Sequence, residues 1–183
     1  EPLERTLEAI CRLVEHDRPE AACAILLLSP DCKRLRLSAG PSLPPSLRRS
    51  LDAAPISARP GPSAFAFRAQ QPVIVRDFAS DRRWKRLAEA ALAEGFRSCI
   101  AIPVRSASGP PIGAAVVFLP QPADGTESVD ELFRVAANLI RLAVEHELAD
   151  RELEESRRRL ETLVDNLPGM VYRCLNDPGW TME

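Results

Sequence analysis

The chain has 183 residues, 45% apolar and 27% charged, which is room for one complete domain and a fragment of a second. Its 26 acids nearly cancel 24 Lys and Arg, and a net charge of −2 points neither to nucleic acid nor to a membrane surface. Apolar runs such as 21–28 and 112–119 fall far short of the ~20 residues of a membrane span, and no basic-then-apolar leader opens the chain. The segment is therefore expected to be cytoplasmic, without membrane or nucleic-acid contact of its own.

In chain order, Leu3, Leu7, Ile10, Cys11 and Val14 make one apolar stripe of a helix, with Glu4, Arg5, Glu8, Arg12 and Glu15 on its wet face. Residues 21–28 read as a buried strand and 34–38 as an alternating one, joined by a turn at 29–31. Six prolines between 40 and 62 deny that stretch a continuous element, apart from a short helix near 46–51. A short helix at 63–70, a strand at 72–75 and a helix at 81–94 follow; Ser80 or Asp81 can cap the last and Gly95 can end it. Strands at 98–104 and 112–119 form a second hairpin. This order predicts an α+β domain around an antiparallel sheet.

After Gly125 neither Pro nor Gly occurs until Pro168, which predicts one helix of about forty residues. Leu132, Leu139, His146, Leu153 and Leu160 repeat every seven residues, and Val135, Leu142, Ala149, Ser156 and Leu163 follow three later, as the seam of a coiled coil requires. Phe133, Ala136, Ile140 and Val144 add a second apolar face, expected to pack on the helix's own domain. The expected assembly is a parallel homodimer with Leu7, Val14, Leu132, Val135, Leu139, Leu142, His146, Ala149, Leu153 and Leu160 at its interface.

The stretch 61–84, GPSAFAFRAQQPVIVRDFASDRRW, carries Pro72, Val73, Val75, Asp77, Phe78, Asp81 and Trp84 in a Pro-Val-x-Val then Asp-Φ-x-x-Asp-x-x-Trp pattern, and 99–104 with Gly113–Phe118 adds a Pro-Val strand followed by a Gly-led one. Over about residues 3–149 the chain resembles a GAF domain, the small-molecule-sensing module of bacterial signalling proteins. Pro62, Ser63 and Ala64 stand where many members have Ser-Cys-Gly, a departure from the pattern. From Leu160 the sequence is similar to the opening of a PAS domain, so the chain is expected to be a fragment of a longer sensor. The resemblance implies a GAF-like sheet of five to six strands flanked by helices over 1–125, a long signalling helix over 126–166, and a truncated PAS start over 167–183.

It also implies a ligand held between the sheet and segment 61–95, with Ser63, Phe67, Asp77, Arg82, Trp84 and Cys99 as candidates, although Trp84 reads first as core. Seven basic residues against four acidic ones between 68 and 97 lean towards an anion. The cofactor is left unassigned. His16 and His146 lie on helices and follow no cysteine, as a bilin would need, and no cluster of His, Cys, Asp or Glu suggests haem or metal. The Asn-Lys signature of cyclic-nucleotide binders is absent. Cys11, Cys23, Cys32, Cys99 and Cys174 contain no Cys-x-x-Cys and read as incidental thiols in a reducing compartment. The expected function is a non-enzymatic sensory module, binding a small ligand and controlling a downstream diguanylate cyclase, phosphodiesterase or histidine kinase. Two alternatives stand beside it: a free methionine sulfoxide reductase using Cys99, and a ligand-free dimerising spacer.

Overall fold

The computed structural model describes residues 2–52, 54–56, 61–123 and 131–165. The expected PAS start at 167–183 lies outside them. Residues up to 145 form one compact unit, and the chain from His146 onward forms a second.

In the first unit α1 (Pro2–Asp17) leads into the hairpin β1 (Ala22–Leu28) and β2 (Arg34–Ala39). Then come α2 (Pro45–Leu51), β3 (Ala54–Pro55), α3 (Pro62–Ala69), β4 (Val73–Val75), a 3-10 turn (Arg82–Trp84), α4 (Lys85–Ala93), the hairpin β5 (Ser98–Arg105) and β6 (Pro111–Leu119), and finally α5 (Glu131–Asp165). The six strands make one antiparallel sheet in the order β3-β2-β1-β6-β5-β4. The sequence does not signal β3, because two residues ending in a proline carry no strand pattern. Where the sequence suggests one helix over 81–94, a 3-10 turn capped by Asp81 precedes α4, and Gly95 ends it at a φ of 85°.

The central strands are apolar throughout because both faces of the sheet are covered. Ala22, Ala24, Leu26, Cys99, Ala101, Ala114, Val116 and Phe118 point to one side, against α2, α3 and α4. Four of those eight are alanines, which lets α3, itself carrying Ala64 and Ala66, lie close on β5 and β6. On the other side Cys23, Ile25, Ile100, Ile102, Ala115 and Val117 meet α1 and the start of α5. There Phe133, Ala136, Ile140 and Val144 are buried, as their second-face position in the sequence predicts.

Leu7 and Val14 correct an expectation. Both are buried inside this chain, at 0% and 1% exposure, so they serve its own core and not an interface with a second chain. The reason is periodic: Leu7, Ile10, Cys11 and Val14 form one stripe, and the sheet takes all of it.

Candidate functional site

Between the sheet and α3, where the resemblance places a ligand, side chains fill the space. Phe67 of α3, Trp84 of the 3-10 turn, Leu47, Phe78, Leu87 and Phe118 join one buried cluster, and Ser63 is buried at the start of α3. Phe78 and Phe118 stack at 6.3 Å, and Phe65 meets Trp84 edge-on at 6.0 Å. The indole N–H of Trp84 is buried and meets no hydrogen-bond partner among the described residues. Cys99 is fully buried at this face; burial first, and the charge of Asp81 second, push its thiol far above the ordinary range. Burial of this kind favours the protonated thiol over the thiolate.

The loop between β4 and α4 holds the remaining candidates. Asp77 accepts from Arg97 Nε at 3.0 Å and Nη2 at 2.7 Å and from the Ala79 backbone N–H, so it ties this loop to the entry of β5. Those bonds, the Arg97 guanidinium foremost, hold its carboxyl below the usual range. Asp81 accepts from the Arg83 backbone N–H at 3.0 Å, capping the 3-10 turn, and pairs with the Arg83 guanidinium, which lowers it likewise. Both aspartates of the motif are thus occupied by loop structure.

The same loop frames two neighbouring depressions. One, of about 460 Å³, is lined by Ile74, Arg76, Asp77, Ser80, Asp81, Arg82 and Arg83. The other, of about 420 Å³, has Phe78, Ala79, Ala88 and Leu92 as apolar walls and Asp81, Arg82, Lys85 and Glu89 at its polar side. Asp81 and Arg82 belong to both. With Asp77 and Asp81 already paired, Arg76 and Arg82 have no carboxylate partner among the described residues. Of the six sequence candidates, then, Asp77 and Arg82 share an open depression, whereas Ser63, Phe67, Trp84 and Cys99 are core. The sequence reading counts Arg76 and Arg97 among the basic residues of this segment but not as individual site candidates, because neither stands in a pattern beyond its charge.

α5 carries further exposed apolar residues in each unit. On the sheet domain Val135, Leu139 and Leu142 are exposed, at 41%, 36% and 53%, while Leu132 is half-buried. In the unit from His146 onward, Leu153, Leu160, Leu163, His146 and Ala149 are exposed as well. No helix among the described residues is long and apolar enough to cross a membrane.

Comparison with known proteins agrees with this architecture. A family model described as GAF domain matches residues 1–145. A methyl sulfide methyltransferase-associated sensor of Methanosarcina acetivorans is 28% identical over 170 residues, 93% of this chain. The chain spans only 17% of that protein's length. Among solved structures, the GAF domain of an Acinetobacter phosphoenolpyruvate-protein phosphotransferase superposes with a TM-score of 0.63 at 19% identity, covering 82% of this chain and 86% of that one. A free methionine-R-sulfoxide reductase from Neisseria meningitidis, in complex with its substrate, gives 0.62 at 16% identity, covering 78% of each chain. At such identities these structures share the fold, which is compatible with more than one activity.

Proposed function

The chain belongs to the GAF domain family, and from that premise we propose that it is the sensory module of a longer signal-transduction protein, dimerising through α5 and passing a binding event to a downstream output domain. The observation that carries this reading is the division of labour along α5. Phe133, Ala136, Ile140 and Val144 are spent on the domain's own sheet, and Val135, Leu139 and Leu142 remain exposed on another face. Their seven-residue spacing continues in sequence through Leu153 and Leu160. A monomer gains nothing from keeping such a stripe wet over that length, and a parallel second copy would cover it. The curated relative being called a sensor supports the same role.

The ligand surface in this reading is the pair of depressions around Arg82, and its preferred ligand is a small anion, because Arg76 and Arg82 have guanidinium groups to offer. The output is a diguanylate cyclase, a phosphodiesterase or a histidine kinase, reached through a PAS domain beginning near 167. The filled space beneath α3 favours a second reading, a dimerising spacer without ligand. A reductase using Cys99 is disfavoured by the buried, raised thiol; we expect no turnover of free methionine sulfoxide. Sedimentation equilibrium tests the dimer: a dimer at micromolar concentration is expected, and a monomer persisting at high micromolar concentration would overturn it. Native mass spectrometry of the purified chain separates the two readings, since a retained anion released by Arg82→Ala supports the sensor and none supports the spacer.

A further inference from the structure

The two depressions around Arg82 differ in what lines them. α4 gives one face to the second of them, because Lys85, Ala88, Glu89 and Leu92 recur at the three- and four-residue spacing of a helix face and all border it. Ala88 and Leu92 line it together with Phe78 and Ala79 of the loop, and Leu92 stays 37% exposed where its neighbour Ala91 is fully buried. The first depression offers instead the side chains of Arg76 and Arg82. Arg82 borders both. The loop that shapes them is held in place: the Phe78 N–H donates to the Arg97 carbonyl at 2.7 Å, the Ala123 N–H donates to the Arg76 carbonyl at 2.7 Å, and the Asp77–Arg97 ion pair closes the same corner. A surface fixed in advance loses little freedom when a ligand arrives.

Resting on the reading of these depressions as the ligand surface, we propose that their ligand is an organic carboxylate with an apolar body, its carboxylate on Arg82 and its chain or ring along Phe78, Ala88 and Leu92. Arg82 is the cation common to the polar and the apolar part, and it has no ion pair among the described residues, so its planar fork is open to the two oxygens of a carboxylate. Along the apolar part Lys85 and Glu89 offset one another and Asp81 is paired with Arg83, which leaves Arg82 as the uncompensated charge there. Arg76, in the first depression, adds to it with the same sign. An inorganic anion would satisfy the guanidinium and leave the Leu92 side of the site wet. An uncharged apolar molecule would cover that side and leave the guanidinium without an acceptor. A carboxylate carrying an apolar body meets both demands at once.

The test is a ligand-observed NMR titration of the full chain at fixed ionic strength with octanoate below its micelle range, acetate, and octan-1-ol. Octanoate is expected to bind at least about tenfold more tightly than either of the others, since about two buried methylenes supply that factor over acetate and a charge-assisted pair supplies it over the alcohol. Arg82→Ala should weaken octanoate and acetate alike, and Leu92→Ser should weaken octanoate about fivefold or more and leave acetate unchanged. Equal affinities for octanoate and acetate, both lost in Arg82→Ala, would overturn the apolar body and keep a plain anion site. Octan-1-ol binding as tightly as octanoate would overturn the carboxylate. Octanoate binding that survives Arg82→Ala and disappears in Leu142→Ser belongs to the exposed face of α5, and the proposal falls. Binding of none of the three removes both this proposal and the anion reading beneath it, and leaves the spacer.

Discussion

Asp77 is held by two bonds from the Arg97 guanidinium and one from the Ala79 N–H, and all three favour its charged form. Its folded pKa is therefore below the unfolded value of about 3.9. A lowered carboxylate contributes stability that is fully present above the unfolded pKa and disappears as pH falls through the folded one. Asp77→Asn and Arg97→Met are accordingly expected to lower the urea midpoint at pH 7, to lower it no further in combination, and to approach the parent as pH falls below the unfolded carboxylate value of about 3.9 and through the lowered folded one. A gap between parent and Asp77→Asn that stayed constant from pH 7 to pH 2.5 would remove the ion pair from the account. The sequence marks Asp77 through its motif, but its role is invisible there, since Arg97 comes 20 residues later at the far side of α4. Gly113 is the opposite case. It is legible as a family-like position, and the structure supplies the reason: a Cβ there would lie 2.3 Å from the Leu26 carbonyl oxygen, where β6 runs against β1.

At the scale of elements, amphipathic periodicity is sufficient to place Phe133, Ala136, Ile140 and Val144 of α5 on the domain's own sheet, because burial on a helix follows its 3.6-residue turn. The same logic misplaced Leu7 and Val14, since a stripe on a short helix shows that something covers it without showing what. In the structure Glu145 bonds the Ala107 N–H at 2.6 Å and Arg141 at 2.7 Å, so this carboxylate is already engaged at the hairpin turn of β5 and β6. The pocket lining was the least legible feature, because whether Phe67 fills a space or borders it depends on side chains from α2, α4 and β6 together. Ile140 and Leu142 give the sharpest test of the divided helix. Ile140→Ala should cost about 3 kcal/mol of unfolding free energy by opening a core cavity. Leu142→Ala, measured at concentrations low enough to keep the chain monomeric, should cost less than about 0.5 kcal/mol. Comparable losses for the two would mean that the face bearing Leu142 is covered within the monomer.

Across the whole molecule, the proposed sensory role would require the proposed dimer seam to be able to change. A ligand moves an equilibrium only by its difference in affinity for the two arrangements, typically 1–3 kcal/mol, so a uniformly strong seam would be insensitive to it. The α5 sequence is not uniform. In the proposed parallel pair, Leu139 with Leu142 and Leu160 with Leu163 would be strong layers, and His146, Ala149 and Ser156 weak positions between them. In the single chain His146 Nδ1 lies 3.0 Å from Asp150 Oδ2, a polar contact at the surface that a packed seam would have to displace or keep wet. Our expectation is that His146→Leu with Ser156→Leu tightens the dimer by at least about tenfold, since each added leucine buries apolar area worth more than 1.4 kcal/mol. In the full-length protein the same pair of substitutions should hold output in one state whatever the signal. Sedimentation velocity across a dilution series reads the first effect, and an output assay with and without stimulus reads the second. A dimer constant and a stimulus response both equal to those of the parent would show that these positions are merely tolerated, and that signal passes through the sheet domain by a route other than a weak seam.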